Sequence, residues 1–227
     1  MKQKIKTRVK NNMLLYNIAL RIQRIIRRYK KPITGKNNSL RNNGVLINVK
    51  YDINGDHNLI VIEHGAILSD MLIYMRGSNH ILKIGKNCRY NGGEIYFEDH
   101  SCKIEIGNNT TIESAHLAVT EPHKKISIGE DCMFSSSIEF RTGDSHSIID
   151  NFTKKRINPA QNIKIGNHVW IGAHSIVLKG VEIGDNCIIG TNSIVTKSVV
   201  SNSIATGIPA KVVKNDIDWL RERIYEN

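Results

Sequence analysis

A strict six-residue period runs through residues 163–213. Aliphatic side chains recur at Ile165, Ile171, Val177, Ile183, Ile189 and Val195. An α-helix repeats every 3.6 residues and a simple strand every two, so neither produces a period of six. The period instead suits a chain that turns a corner every six residues, so that three hexapeptides complete one coil of a triangular prism.

The same phase continues through longer coils earlier in the chain. Marker isoleucines, spaced 22 residues apart at first and then 37 and 18, fall at Ile62, Ile84, Ile106, Ile128, Ile165 and Ile183. An 18-residue coil with four extra corner residues gives 22, and segments 55–58 and 77–80 are predicted to be such corners. The predicted fold is all-β, a parallel β-helix of roughly seven coils over residues 45–213.

Small side chains follow each marker isoleucine by four residues, at Ala66, Cys88, Thr110, Cys132, Val169 and Cys187. The recurrence predicts a crowded position inside the prism. Three of the four cysteines fall there, so all four, Cys102 included, are expected to be buried free thiols rather than disulfides. Free thiols agree with a reducing cytoplasmic compartment.

The net charge of +11 lies in an N-terminal arm, because residues 1–31 contain eleven Lys and Arg and no acid. Within it, residues 12–30 predict an amphipathic helix, and residues 33–44 predict a polar linker, so that 1–44 form the arm. We expect no signal peptide. The arm suits peripheral contact with the inner membrane face. The open alternative is that its apolar stripe packs on protein.

Two further segments depart from the repeat. Residues 141–162 separate marker isoleucines by 37 instead of 22, so they must leave the prism as an excursion loop, where function tends to reside. Residues 214–227 predict a short amphipathic helix that caps the last coil, with Asn215 or Asp216 at its N-terminus.

The motifs DSHSIID, KRIN, IGNHVWIGA, VTKSV and GIPAKVV resemble those of hexapeptide-repeat acetyltransferases, over residues 144–214. The sequence is most similar to the branch that O-acetylates cell-surface polysaccharides, and it is also similar to galactoside and maltose acetyltransferases. The resemblance implies a left-handed parallel β-helix, a homotrimer, and acetyl-CoA in the groove between neighbouring subunits. We expect no metal cofactor.

The resemblance implies that His146 is the general base, since His146 precedes Trp170 by 24 residues as the family's histidine does. Imidazole suits the removal of a proton from a sugar hydroxyl at neutral pH. Asp144 either orients the imidazole or contacts the sugar, or is a turn residue. Trp170 is placed against the acetyl thioester. Cofactor contacts carry over to Trp170, Ala173, Thr191, Thr196, Lys197, Lys211 and Lys214.

The acceptor site departs from the galactoside pattern, because Lys124 stands where those enzymes place a carboxylate. An anionic glycan would suit this lysine and the further basic residues Lys125, Lys154, Lys155 and Arg156; solvated surface lysines are the alternative. The expected reaction is direct O-acetylation of a cell-surface carbohydrate, with no acyl-enzyme.

Other functions stay open at this stage. N-acetylation of an amino sugar would use the same fold and cofactor. A scaffold with a nucleic-acid-binding arm would leave the His146–Trp170 spacing unexplained, and no basic face carries the aromatic residues of a nucleic-acid site. A zinc site of the γ-carbonic anhydrase kind is disfavoured, because His80 and His116 are not expected to stack in coils of 22 residues.

Overall fold

The computed structural model describes residues 32–225, which form a parallel β-helix with three sheets. Sheet A contains Ile33–Thr34 (β1), Lys50–Asn54 (β4), Met71–Arg76 (β7), Gly93–Phe97 (β10), Ala115–Val119 (β13), Ile138–Arg141 (β16), Ile176–Leu178 (β19) and Ile194–Val195 (β22). Sheet B contains Ser39–Asn42 (β2), Leu59–Ile62 (β5), Ile81–Ile84 (β8), Lys103–Ile106 (β11), Lys125–Ile128 (β14), Ile163–Ile165 (β17) and Glu182–Ile183 (β20). Sheet C contains Val45–Ile47 (β3), Ile67–Ser69 (β6), Arg89–Tyr90 (β9), Thr111–Ile112 (β12), Met133–Phe134 (β15), Trp170–Ile171 (β18), Ile188–Ile189 (β21), Ser203–Gly207 (β23) and Ala210–Asn215 (β24).

The strand register confirms the predicted repeat. Each marker isoleucine pairs with the next one along the chain, from Ile62 with Ile84 to Ile165 with Ile183. All six are buried, and so are the six small residues that follow them by four positions. Parallel neighbours lie about 4.8 Å apart, so each inward side chain packs directly on its equivalent in the next coil.

The four-residue corners also lie where the sequence predicts them. Segment 55–58 separates β4 from β5, and segment 77–80 separates β7 from β8. Gly77 has φ +111°, and a Cβ there would lie 1.6 Å from the carbonyl oxygen of Asp99 in the next coil. Only glycine permits the backbones to approach this closely.

The excursion loop is confirmed, since residues 142–162 contribute no strand to the three sheets. The loop leaves sheet A at Arg141 and enters sheet B at Ile163. We call the edge where sheet A passes into sheet B the A–B corner, and the edge where sheet C passes into sheet A the C–A corner.

The structure differs from the predicted linker at residues 33–44. Strands β1 and β2 lie in this segment and pair in parallel with β4 and β5, so the prism begins at Ile33. Its polar residues form the corner: the Asn38 side chain donates a hydrogen bond of 2.8 Å to the carbonyl oxygen of Gly55. The predicted helix at 12–30 lies outside the described residues.

The predicted C-terminal helix is wrong over the described residues 214–225, which contain none. Strand β24 runs antiparallel to β23 as far as Asn215. Beyond it, the Trp219 indole Nε1 donates a hydrogen bond of 2.8 Å to the carbonyl oxygen of His168. Trp219 is buried, whereas Leu220 and Ile224 are exposed. The apolar residues of the predicted helix therefore do not pack together on the prism.

The outer faces of the three sheets differ in character. Sheet B carries an ion-pair cluster in which Glu105 bridges Lys103 and Lys125, both at 2.7 Å. Sheet A carries aromatic rings, with Tyr74 and Tyr96 stacked at 4.8 Å between centroids. Sheet C presents the half-exposed Trp170.

Candidate active site

The loop at the A–B corner is built as a short hairpin. Ile149 and Arg156 form an antiparallel bridge. At the tip, Asp150 Oδ1 accepts hydrogen bonds from the backbone N–H groups of Phe152 at 3.1 Å and Thr153 at 2.6 Å. The turn leaves the Phe152 ring 93% exposed. The loop is therefore internally ordered and presents an apolar tip.

Asn158 holds the segment that carries His146. Its side-chain Nδ2 donates to the carbonyl oxygen of His146 at 2.8 Å and to Asp144 Oδ2 at 2.7 Å, and its Oδ1 accepts from the N–H of Ile148 at 2.7 Å. Asn158 is buried, whereas His146 is exposed. The backbone on both sides of His146 is thus fixed, and the imidazole remains accessible to a substrate.

Asp144 is tied to the scaffold rather than to the imidazole. Its carboxylate pairs with the Lys179 ammonium and accepts the hydrogen bond from Asn158. The Lys179 hydrogen bond, supported by Asn158, lowers the pKa of Asp144 below its usual value. The carbonyl oxygen of Asp144 accepts a hydrogen bond of 2.7 Å from the N–H of His146. Asp144 therefore positions His146 through the backbone.

Trp170 lies on the outer face of sheet C, where its side chain is 38% exposed. Its ring centroid is 6.0 Å from that of Trp219, at 50°. Trp219 is itself fixed against His168. The C-terminal segment therefore supports one side of the Trp170 indole.

The other residues expected to bind the cofactor follow Trp170 towards the end of the prism. Ala173 and Thr191 occupy the C–A corner of successive coils, and Lys211 pairs with Thr206 one strand further on. Lys214 pairs with Ile204, which follows Trp170 and Ile188 along sheet C. The N–H of Ala173 has no acceptor among residues 32–225.

Thr196 and Lys197 lie elsewhere. They follow β22, at the A–B corner of a later coil than the loop. Lys179, which contacts Asp144, occupies the A–B corner of the coil that lies between the loop and Thr196. The expected site residues therefore fall into two groups on each chain. One group, with His146, Thr196 and Lys197, lies along the A–B corner. The other, with Trp170, Ala173, Thr191, Lys211 and Lys214, lies along sheet C and the C–A corner.

Several basic residues considered for an anionic acceptor already have partners. Arg156 pairs with Glu121, and Lys125 pairs with Glu105. Arg156 is the largest cause of a lowered pKa at Glu121. Arg156 therefore fixes the base of the loop to the prism.

The thiols are confirmed as free and buried. Burial raises the pKa of Cys102 and of Cys132 to about 11, so neither supplies a thiolate nucleophile near neutral pH. Within the described part of the chain, no three His, Cys, Asp or Glu side chains converge as metal ligands do. His80 precedes β8 in sheet B and His116 lies in β13 of sheet A.

Asn158, Lys179 and Trp219 were not expected from the sequence. Each acts on a residue far away along the chain, such as Asp144 for Lys179 and His168 for Trp219. The sequence pointed to Asn158 only through the motif KRIN, of which it is the last residue. Neither Lys179 nor Trp219 is marked by the repeat.

A family model described as bacterial transferase hexapeptide (six repeats) matches residues 162–197. The polysialic acid O-acetyltransferase of Neisseria meningitidis is 37% identical over 172 residues, which are 75% of this chain and 79% of that protein. The chain belongs to the hexapeptide-repeat O-acetyltransferases of capsular polysaccharides.

Two further relatives agree with this family. The polysialic acid O-acetyltransferase of Escherichia coli O1:K1 / APEC is 41% identical over 140 residues, or 62% of this chain; the match spans 45% of that protein's length. The crystal structure of the polySia-specific acetyltransferase NeuO has a TM-score of 0.76 and 35% identity, covering 86% of this chain and 89% of that one. The resemblance drawn from the motifs is confirmed, as is the enzyme class, an acyltransferase.

Proposed function

We propose that this acetyltransferase transfers an acetyl group from acetyl-CoA to a hydroxyl of an anionic capsular polysaccharide of the polysialic acid type. The observation that carries the proposal is the fixed loop, in which Asn158 and Asp144 hold an accessible His146 beside the prism. The two relatives named as polysialic acid O-acetyltransferases support the acceptor class.

His146 removes the proton from the acceptor hydroxyl as its oxygen attacks the thioester carbon. The tetrahedral oxyanion is stabilised by backbone N–H groups, of which the unpaired amide of Ala173 is the leading candidate. The carbon–sulfur bond then breaks, and the CoA thiolate takes a proton from the His146 imidazolium. No acyl-enzyme forms.

The two groups of site residues support a site shared between subunits of a homotrimer. In a triangular prism the A–B corner lies opposite sheet C, so His146 and Trp170 of one chain cannot face the same ligand. Both groups carry exposed apolar side chains, including Phe152 on the loop and Val213 beside Lys214. Packing one chain's loop against a neighbour's sheet C covers this surface and completes the site.

The reaction is tested with acetyl-CoA and oligomers of sialic acid, by thiol release and by mass analysis of the glycan. We expect acetylated oligomer, acetyl that is lost on mild alkaline treatment as an ester is, and product formation slowed by about 10²–10⁴ with His146→Ala. A neutral galactoside and an amino sugar serve as alternative acceptors. Acetylation of the amino sugar alone would contradict the proposal and favour N-acetylation.

The shared site is tested by mixing two inactive variants. His146→Ala removes a residue of the A–B corner group, and Trp170→Ala removes a residue of the sheet C group. A trimer made of either variant alone therefore contains no complete site. After subunit exchange in equal amounts, a site between chains is intact in about a quarter of cases. Recovery of about that share of wild-type activity supports the trimer. No recovery in verified mixed trimers contradicts a site shared by these two residues of neighbouring chains.

A further inference from the structure

A cleft of about 150 Å³ opens beside the catalytic loop. Its walls come from sheet A and from the start of the loop: Tyr96, His116, Ala118, Thr120, Arg141, Gly143 and Ser145. Ser145 is the neighbour of His146. The volume equals about five water molecules in the liquid, enough for part of one sugar residue and its substituents. The group of site residues that contains His146 therefore lies beside a cleft that can take part of one sugar residue.

Two residues of this lining each carry a buried side-chain polar atom that has no hydrogen-bond partner in the described part of the chain. The two atoms are Nε2 of His116 and the side-chain Oγ1 of Thr120. Among residues 32–225 the only other such side-chain atom is the hydroxyl of Tyr51. Buried polar groups in native proteins are nearly always paired, so these two atoms require partners from outside the described chain, such as an ordered water or a ligand group.

The local fold holds both groups in place. His116, Ala118 and Thr120 alternate with inward residues and so share the outer face of one strand line. Ala118 supplies a small floor between the two polar side chains. Thr142 Oγ1 accepts a hydrogen bond of 2.9 Å from the N–H of Thr120 and donates one of 3.2 Å to its carbonyl oxygen. The backbone of Thr120 is thereby fixed, while its side-chain hydroxyl has no hydrogen-bond partner among residues 32–225.

Gly143 keeps the cleft open. A Cβ at this position would lie 2.5 Å from Thr120 Oγ1, closer than a carbon and an oxygen can approach without a shift of the threonine side chain. The φ of Gly143 is not in the left-handed region, so the backbone does not require glycine here. Glycine is required instead because a side chain at this position would collide with Thr120.

Arg141 adds a cation to the same wall. Its Nε and one terminal nitrogen contact Glu139. A guanidinium has five N–H donors, so Glu139 engages only part of it. An acidic sugar with a carboxylate at one end and a hydroxylated side chain at the other matches a cleft that offers a guanidinium, an imidazole and a hydroxyl.

We propose that this cleft is the acceptor subsite, in which His116 and Thr120 bind hydroxyl or amide groups of one acidic sugar unit and Arg141 binds its carboxylate. The inference rests on the proposed function and deepens it. The three residues are specificity-determining contacts and take no part in proton transfer. They place the target hydroxyl next to His146, on the same chain as the base.

The test uses His116→Phe and Thr120→Val, which keep shape and remove the polar group. We expect the KM for sialic acid oligomers to rise about tenfold in each, since one hydrogen bond to substrate is lost. The KM for acetyl-CoA and the trimer mass should stay unchanged. Arg141→Met should raise the KM for the acidic oligomer and leave the KM for acetyl-CoA unchanged. His64→Phe and Ser127→Ala, both away from the cleft, are matched controls.

Binding is also measured without turnover, by titrating the full-length protein with sialic acid oligomers and following the imidazole NMR signals of His116. The His116 signal is assigned by its loss in His116→Phe. A saturable shift of this signal that is weaker in Thr120→Val supports the subsite even if no acetyl transfer is detected. An unshifted His116 signal overturns it. Loss of the trimer in both variants with unchanged acceptor KM also overturns it, and assigns the two groups to a subunit contact instead.

Discussion

The indole of Trp219 lies almost parallel to the imidazole of His168, with 4.1 Å between ring centroids and 11° between planes. The imidazole also bonds at both nitrogens, to Asp131 Oδ2 at 2.7 Å and to the carbonyl oxygen of Trp219 at 2.8 Å. Burial alone would lower the pKa of His168, but these hydrogen bonds outweigh it and raise the pKa above 6.5.

This arrangement predicts that the C-terminal segment loosens as the pH rises. A pKa raised in the folded state means that protonated His168 stabilises the packed segment fully below about pH 6.5. The stabilisation is lost as the pH rises through the higher folded pKa. Trp219 fluorescence in Trp170→Phe should therefore change in a single titration above pH 6.5. His168→Gln should abolish that titration; if the titration persists, another group causes it.

His146→Ala is expected to lower kcat by about 10²–10⁴, the usual contribution of a general base. Acetyl-CoA binding and the mass of the proposed trimer should stay close to wild type, because the His146 side chain is exposed and the loop is held by Asn158. Steady-state kinetics and calorimetry measure the two effects. Turnover above a tenth of wild type would remove His146 from the role of base.

Lys211→Ala and Lys197→Ala are each expected to weaken acetyl-CoA binding by about 1 kcal/mol, or roughly fivefold, as partly exposed phosphate contacts do. An acetyl-pantetheine without the nucleotide phosphates should bind both variants as well as wild type. Calorimetry with the two ligands separates these effects. Equal losses for both would show that the lysines support the fold rather than the phosphates.

Asn158→Ala is expected to cost about 1–3 kcal/mol of stability, since Asp144 Oδ2 and the N–H of Ile148 lose a buried partner. We also expect kcat to fall more than tenfold while the KM for acetyl-CoA stays constant, because the segment around His146 is released. Asn151→Ala, at the exposed tip of the same loop, is the control. Wild-type kcat in a destabilised Asn158→Ala would restrict Asn158 to folding.

The arm at residues 1–31, with eleven basic residues and no acid, is proposed to hold the enzyme at an anionic membrane surface. Residues 32–225 contain no helix with the length and hydrophobicity that a membrane crossing requires. Full-length protein should co-sediment with vesicles that contain anionic lipid at low salt, and a protein lacking residues 1–31 should not. Full-length protein that stays in the supernatant contradicts the proposal.

The sequence predicts the prism well because its determinants are local and periodic. The marker isoleucines specify the register, and the corners at 55–58 and 77–80 follow from the longer coils. The first coil was missed because the segment 33–44 is polar and rich in turn residues. Its strands form through backbone pairing with β4 and β5, which leaves no mark in the side chains.

The site was only partly predictable for the same reason. His146 and Trp170 are marked by motif spacing, whereas Lys179 and Asn158 act through contacts that exist only once the loop lies on the prism. The C-terminal segment has the pattern of an amphipathic helix. Its conformation is decided instead by Trp219, whose partner His168 is 51 residues away.

The excursion loop interrupts the chain without disturbing the ladder. Residues 37 apart across it, Ile128 and Ile165, pair as directly as those 22 apart in the preceding coils. The insertion therefore adds residues at one corner without changing the strand pairing of the β-helix. Because Thr142 and Asn162 hold the two ends of the insertion on the prism, we expect the segment between them to tolerate other lengths and compositions while the following coils keep their register. Exchange of this one segment would then alter the proposed acceptor site without altering the prism.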